Sequence, residues 1–171
     1  MNRELRTILI STVLLGVAVL LQSTVLRWVA LKGVKPDLAL ILLVFVAVRR
    51  GSMSAQTSGF LAGLLEDALS LAPVGFNALL RTVLGFFYGL LSGSIFVDPV
   101  LMPVLLVMVA TLLKGLLSSL LVVLFRVPAP GFQIFAGPLW IEVGYNAVLA
   151  PFLFAPLRRL RALAPREKER A

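Results

Sequence analysis

Residues 7–26 (TILISTVLLGVAVLLQSTVL) carry no charge over twenty positions. At 1.5 Å per residue a helix of that length covers the ~30 Å hydrocarbon core of a bilayer. Inside a bilayer every backbone N–H and C=O must be satisfied within the chain, so such a run has to be helical. The run is too long for the apolar part of a signal peptide and lacks a small-x-small cleavage site, so it reads as a first span. Similar runs recur along the chain. With 60% hydrophobic residues and a mean hydropathy of +1.02, the chain exceeds the apolar share of a soluble domain. The expected fold is all-α, one integral membrane domain over residues 1–171.

Polar breaks divide it into six spans, at about residues 7–26, 31–48, 53–71, 75–95, 99–125 and 132–157. A basic tail follows at 158–171. Pro36 and Asp37 open the second span, with proline in the first turn and an anion where the helix dipole favours one. Arg49, Arg50 and Gly51 close it. The turn Ala72-Pro73-Val74-Gly75 separates the third from the fourth, and Asp98-Pro99 starts the fifth. The loop RVPAPGFQIFAG must bend before the sixth span, which begins at Phe132 or Pro138. Pro151 and Pro156 make the end of that span irregular.

Six spans place both termini on one side. That side carries Arg3, Arg6, Arg49, Arg50, Arg158, Arg159, Arg161, Arg166, Lys168 and Arg170, against Arg27, Lys32, Lys35 and Arg126 on the other. Basic residues mark the cytoplasmic face, so both termini are expected there.

The composition excludes much chemistry. Cysteine and histidine are absent, which removes disulfides, imidazole catalysis and most zinc and haem sites. There is no G-x-S-x-G, no phosphate-binding G-x-x-x-x-G-K-[ST] and no D-x-x-D pair. Glu66 and Asp67 are adjacent, so on a helix they diverge by about 100° and form no acid/base pair. The net charge of +8 sits beside apolar runs rather than in a basic stripe with aromatics, so the lipid bilayer, not nucleic acid, is the expected partner. No catalytic residue, cofactor or metal is expected.

Charges within the spans are therefore the candidates for function. In an antiparallel hairpin, residues equidistant from the turn share a depth. Counting from Val74 pairs Asp67 with Arg81. The same count pairs Gly63 with Gly85, Gly59 with Gly89, and Ala55 with Gly93. Two facing small-residue rows would let the helices approach closely. Lys114 and Glu142 form a second candidate pair, sharing a depth if the sixth helix starts at Phe132. Glu66 points to a different face from Asp67, toward the outer interface or a partner.

The stretches KPDLALILLVFVAVRRG and GFLAGLLEDALSLAPVGFNALL resemble the bacterial rod shape-determining protein family MreD. Pro36 and Asp37 match, as do Arg49, Arg50 and Gly51; so do Gly59-Phe60, Gly63-Leu64 and Asp67, and Pro73, Gly75, Asn77 and Leu79. Glu66 departs from the pattern, leaving both carboxylates as candidates for the family's work. The resemblance implies a non-enzymatic inner-membrane component of the cell-elongation machinery that directs lateral peptidoglycan synthesis. It implies pairing with MreC, a single-span periplasmic protein, and links to MreB, the SEDS glycosyltransferase and a class B transpeptidase. It also implies a fold similar to the six-helix substrate-binding subunits of ECF vitamin transporters. The alternative is such a vitamin-binding subunit. Those often carry an Ala-x-x-x-Ala patch on the first helix, which ILISTVLLGVAVLLQ lacks.

Overall fold

The computed structural model describes residues 3–30, 33–93, 100–126, 137–160 and 163. Its helices are α1 (Arg3–Thr24), α2 (Leu38–Arg50), α3 (Ser52–Leu69), α4 (Phe76–Leu90), α5 (Leu101–Phe125) and α6 (Gly137–Leu157), with a 3-10 turn at Leu26–Val29. Three of them, at Glu4–Thr24, Leu101–Phe125 and Gly137–Leu157, are long and apolar enough to cross a membrane, and Phe76–Leu90 is a shorter apolar helix.

The hub is α2. Ala39 through Val48 are all buried, and α2 packs against each of the other five helices. Around it α1 lies on α3, α3 on α4, α4 on α5 and α5 on α6. With 13 residues, α2 is about 20 Å long, too short to cross the hydrocarbon alone. Covered by protein on every side, it needs no lipid-facing length. Its unbroken apolar sequence is that of an all-round buried helix. The outer faces of α1 and α5 expose Leu9, Val13, Val17, Leu105, Val109, Leu116 and Leu120, as lipid-facing helices do.

Several boundaries differ from expectation. The second helix begins at Leu38, not near residue 31, because Asp37 caps it and accepts from the Leu40 N–H at 2.9 Å. Pro36 thus lies before the cap rather than in the first turn. Arg49 and Arg50 form the helix's last turn, and Gly51, at φ +86°, is both its end and the start of α3. The fourth helix stops at Leu90, and residues 94–99 lie outside the described ones, as do Phe132, most of the 126–137 loop and most of the tail. The sixth helix continues through Pro151 and Pro156 to Leu157.

The small-residue rows do face each other, in a different register. A Cβ on Gly85 would meet the Ala55 backbone at 2.9 Å, and one on Gly59 would meet the Arg81 carbonyl at 3.0 Å. Gly63 abuts Asn77 and Ala78, and Gly89 abuts Ser52. The expected layers Gly63–Gly85, Gly59–Gly89 and Ala55–Gly93 are therefore wrong by about two helical turns. Gly93 lies beyond the end of α4, at φ +82°. The centre of the hairpin is nearer Ser70 than Val74, because α4 starts alongside Asp67 instead of beyond the turn.

Substituting Gly63 by Val should push α4 away and cost about 1–3 kcal/mol of stability by overpacking. Gly144→Val should be nearly neutral, because among the described residues nothing lies within 4 Å of a Cβ there. Thermal unfolding of the two purified variants in detergent checks the contrast.

Candidate functional site

A buried ion network joins all six helices. At its centre is Asp37, the cap of α2. Arg81 Nη2 of α4 is 3.1 Å from its Oδ1, and Lys114 Nζ of α5 is 2.6 Å from its Oδ2. Each cation holds a second carboxylate. Arg81 donates through Nε to Glu66 Oε2 of α3 at 2.8 Å, and through Nη2 to the same oxygen. Lys114 donates to Glu142 Oε1 of α6 at 2.7 Å. Helix α1 enters through Gln22, whose Nε2 donates to Glu66 Oε1 at 3.2 Å and whose Oε1 accepts from the Ala39 N–H at 3.3 Å. Asn146 Oδ1 accepts from the Asp37 N–H at 2.9 Å, and Asn146 Nδ2 donates to Thr111 Oγ1 at 3.1 Å.

Asp37, Arg81, Glu142, Gln22, Asn146 and Thr111 are all at most 4% exposed. Removing such charges from water is expensive, and mutual pairing with hydrogen bonds offsets it. The Arg81 Nη1 atom is buried and has no hydrogen-bond partner among the described residues.

The expected Asp67–Arg81 pair is corrected by this geometry. Asp67 instead accepts from the first N–H groups of α4. These are Gly75 N to Oδ2 and Asn77 N to Oδ1, both at 2.9 Å, and Ala78 N to Oδ2 at 3.3 Å. Asn77 Nδ2 adds a fourth bond at 2.9 Å. A carboxylate at a helix N-terminus satisfies orphan donors and the dipole together. Gly75 supplies the left-handed backbone, φ +98°, that aims these groups at it. Arg81 meets Glu66 because side chains tilt toward their own helix N-terminus. In an antiparallel pair, Arg81 on α4 and Glu66 on α3 therefore lean toward each other.

Lys114 and Glu142 are in contact, but Lys114 also binds Asp37, which sequence reading took only as a helix opener. Gln22, Thr111 and Asn146 were missed as well. The signal lay in their polarity within apolar runs, and in the i, i+4 spacing of Glu142 and Asn146 on one face of α6. Among the described residues, no group of three or more acidic side chains is placed to hold a metal ion.

The family model for the rod shape-determining protein MreD matches residues 2–160. The chain belongs to the MreD family. No curated protein and no solved structure matches it. The MreD-like motif residues have distinct places in this geometry. Asp37 is the shared anion, Gly51 turns α2 into α3, and Gly75 and Asn77 bind Asp67, while Pro73 precedes them in the loop. Both adjacent carboxylates are engaged, Glu66 in the ion network and Asp67 as a cap.

Asp37→Asn should destabilise by about 3–5 kcal/mol, the range for breaking a buried ion pair from one side. Glu142→Gln should cost less, since it takes a carboxylate from one cation only. Equal losses in detergent unfolding would contradict the sharing. Asp67→Asn should cost about 0.5–2 kcal/mol as a weakened cap. The swap Asp67→Arg with Arg81→Asp should recover none of the loss, because the two side chains have separate partners.

Proposed function

We propose that the chain is a non-enzymatic scaffold of the bacterial cell-elongation complex in the inner membrane. On this reading it crosses the membrane six times with both termini in the cytoplasm. It binds an MreC-like single-span periplasmic protein and acts with MreB, the SEDS glycosyltransferase and a class B transpeptidase in lateral peptidoglycan synthesis. The observation that carries the reading is the family match over residues 2–160, since that family's role is rod shape determination.

The ion network supports a holding role. Its charges are spent on one another across six helices, which fixes the bundle's shape rather than preparing a group to react. The vitamin-binding alternative draws no support from the family match.

Depletion in a rod-shaped host should round or bulge the cells and leave vitamin uptake unchanged. Normal rods with a vitamin requirement would overturn the reading. Purification from native membranes should bring down a single-span periplasmic protein rather than an ATPase pair. Topology reporters fused after Gly51 should signal cytoplasm and those at Pro130 periplasm; a periplasmic signal from the C-terminus would end the six-span arrangement.

A further inference from the structure

The end of the bundle where α1 begins and α2 and α6 finish collects arginine. Arg49 and Arg50 close α2, Arg158 and Arg159 follow α6, and Arg6 lies in the first turn of α1. Specific bonds fix this end. Arg50 Nη2 donates to Thr7 Oγ1 on α1. Arg49 Nε donates to the carbonyl of Leu163 at 3.3 Å, and its guanidinium lies 5.4 Å from the centre of the Phe45 ring. That ring packs edge-on against Phe154 of α6 at 5.0 Å, and Leu163 is fully buried beyond α6. The Arg158 N–H donates to the carbonyl of this same Phe154 at 3.0 Å, which brings the start of the tail beside the ring that Arg49 covers.

Basic side chains are in excess at this end. Among the described residues it holds Arg6, Arg49, Arg50, Arg158 and Arg159 against one acidic side chain, Glu4. Arginine outnumbers acid there whichever pairs form. The C-terminal dipoles of α2 and α6 offset only about half a charge each. Setting membrane topology requires basic residues near helix ends. It does not require Arg49 to be held on a ring and a carbonyl beside Arg158.

We propose that this cluster binds the phosphate of an anionic phospholipid, with Arg49 and Arg158 at its core and Arg50 and Arg159 flanking. A guanidinium matches phosphate oxygens in a planar fork. The cluster lies at the ends of α1 and α6, both long and apolar enough to cross the bilayer, and so at headgroup level. Leu5 and Leu9 on α1 and Phe152 on α6 are exposed, which leaves apolar surface on each helix for acyl chains. A zwitterionic lipid brings its own cation and is the poorer ligand. The inference rests on the membrane reading of the bundle, and not on which side the cluster faces or which protein the chain binds.

The test uses the full chain in detergent, titrated with phosphatidylglycerol or phosphatidylcholine and followed by native mass spectrometry. Phosphatidylglycerol should bind preferentially. Arg158→Gln and Arg159→Gln, both at exposed positions, should each weaken it about fivefold, the effect of one basic residue near an anionic surface. Arg126→Gln, beyond the opposite end of α5, should leave binding unchanged. Arg49→Gln with Arg158→Gln should weaken it about 25-fold if the two act additively. If Arg49→Gln lowers the melting temperature, the two exposed variants carry the test. Equal retention of both lipids would overturn the proposal, as would an equal loss in Arg126→Gln. So would glycerol phosphate without acyl chains competing as well as the lipid, or an acidic peptide binding in its place with no lipid preference.

Discussion

The carboxylate of Asp37 is shared by two cations from different helices, and the rest of the bundle is arranged so that this is affordable. One oxygen takes Arg81 and the other Lys114, while the same side chain caps α2. A lone charge at membrane depth costs several kcal/mol. Here each charge has a counter-charge, and the outer members, Glu66 and Glu142, each close one end of the chain. Because Asp37 belongs to the central helix, the network is a tie between the α3–α4 hairpin and the α5–α6 hairpin, which otherwise meet mainly where α4 touches α5.

Two local devices bring the charges together. Asp67 gathers the first N–H groups of α4 and so fixes how far that helix is drawn back along α3. The glycines then let the helices touch, Gly63 at Asn77 and Ala78, Gly85 at Ala55. With that register set, Arg81 leaves the helix opposite Gly59 and reaches back toward Glu66 and Asp37. The cap and the ion network are thus separate interactions on neighbouring residues, one setting the register that the other uses.

This construction suits the scaffold role proposed above. The polar groups are turned inward, and α1 and α5 present apolar surfaces outward. The opposite end from the Asp67 cap gathers arginines on three helix ends, tied by Thr7, Leu163 and Phe45. One end of the bundle is locked by internal charge pairing and the other gathers the arginines that close α2 and follow α6.

The sequence by itself determined that this chain is a helical membrane protein, where its helices lie to within a turn or two, and which family it resembles. Those follow from apolar run length, from turn-forming residues and from local motifs, all of which act between near neighbours. It also showed which charges were out of place in apolar surroundings and named Lys114 and Glu142 as a pair, but on a helix start at Phe132 that lies outside the described residues. What it could not decide was the partner of each charge. Equal counting from Val74 set Asp67 against Arg81, but the register of a hairpin depends on how its loop returns, and here the Asp67 side chain itself moves the centre. Asp37 shows the same limit from the other side. Its place at a helix start was legible locally, but its two cations come from 44 and 77 residues away, and only the packing of α4 and α5 around α2 brings them within bonding distance.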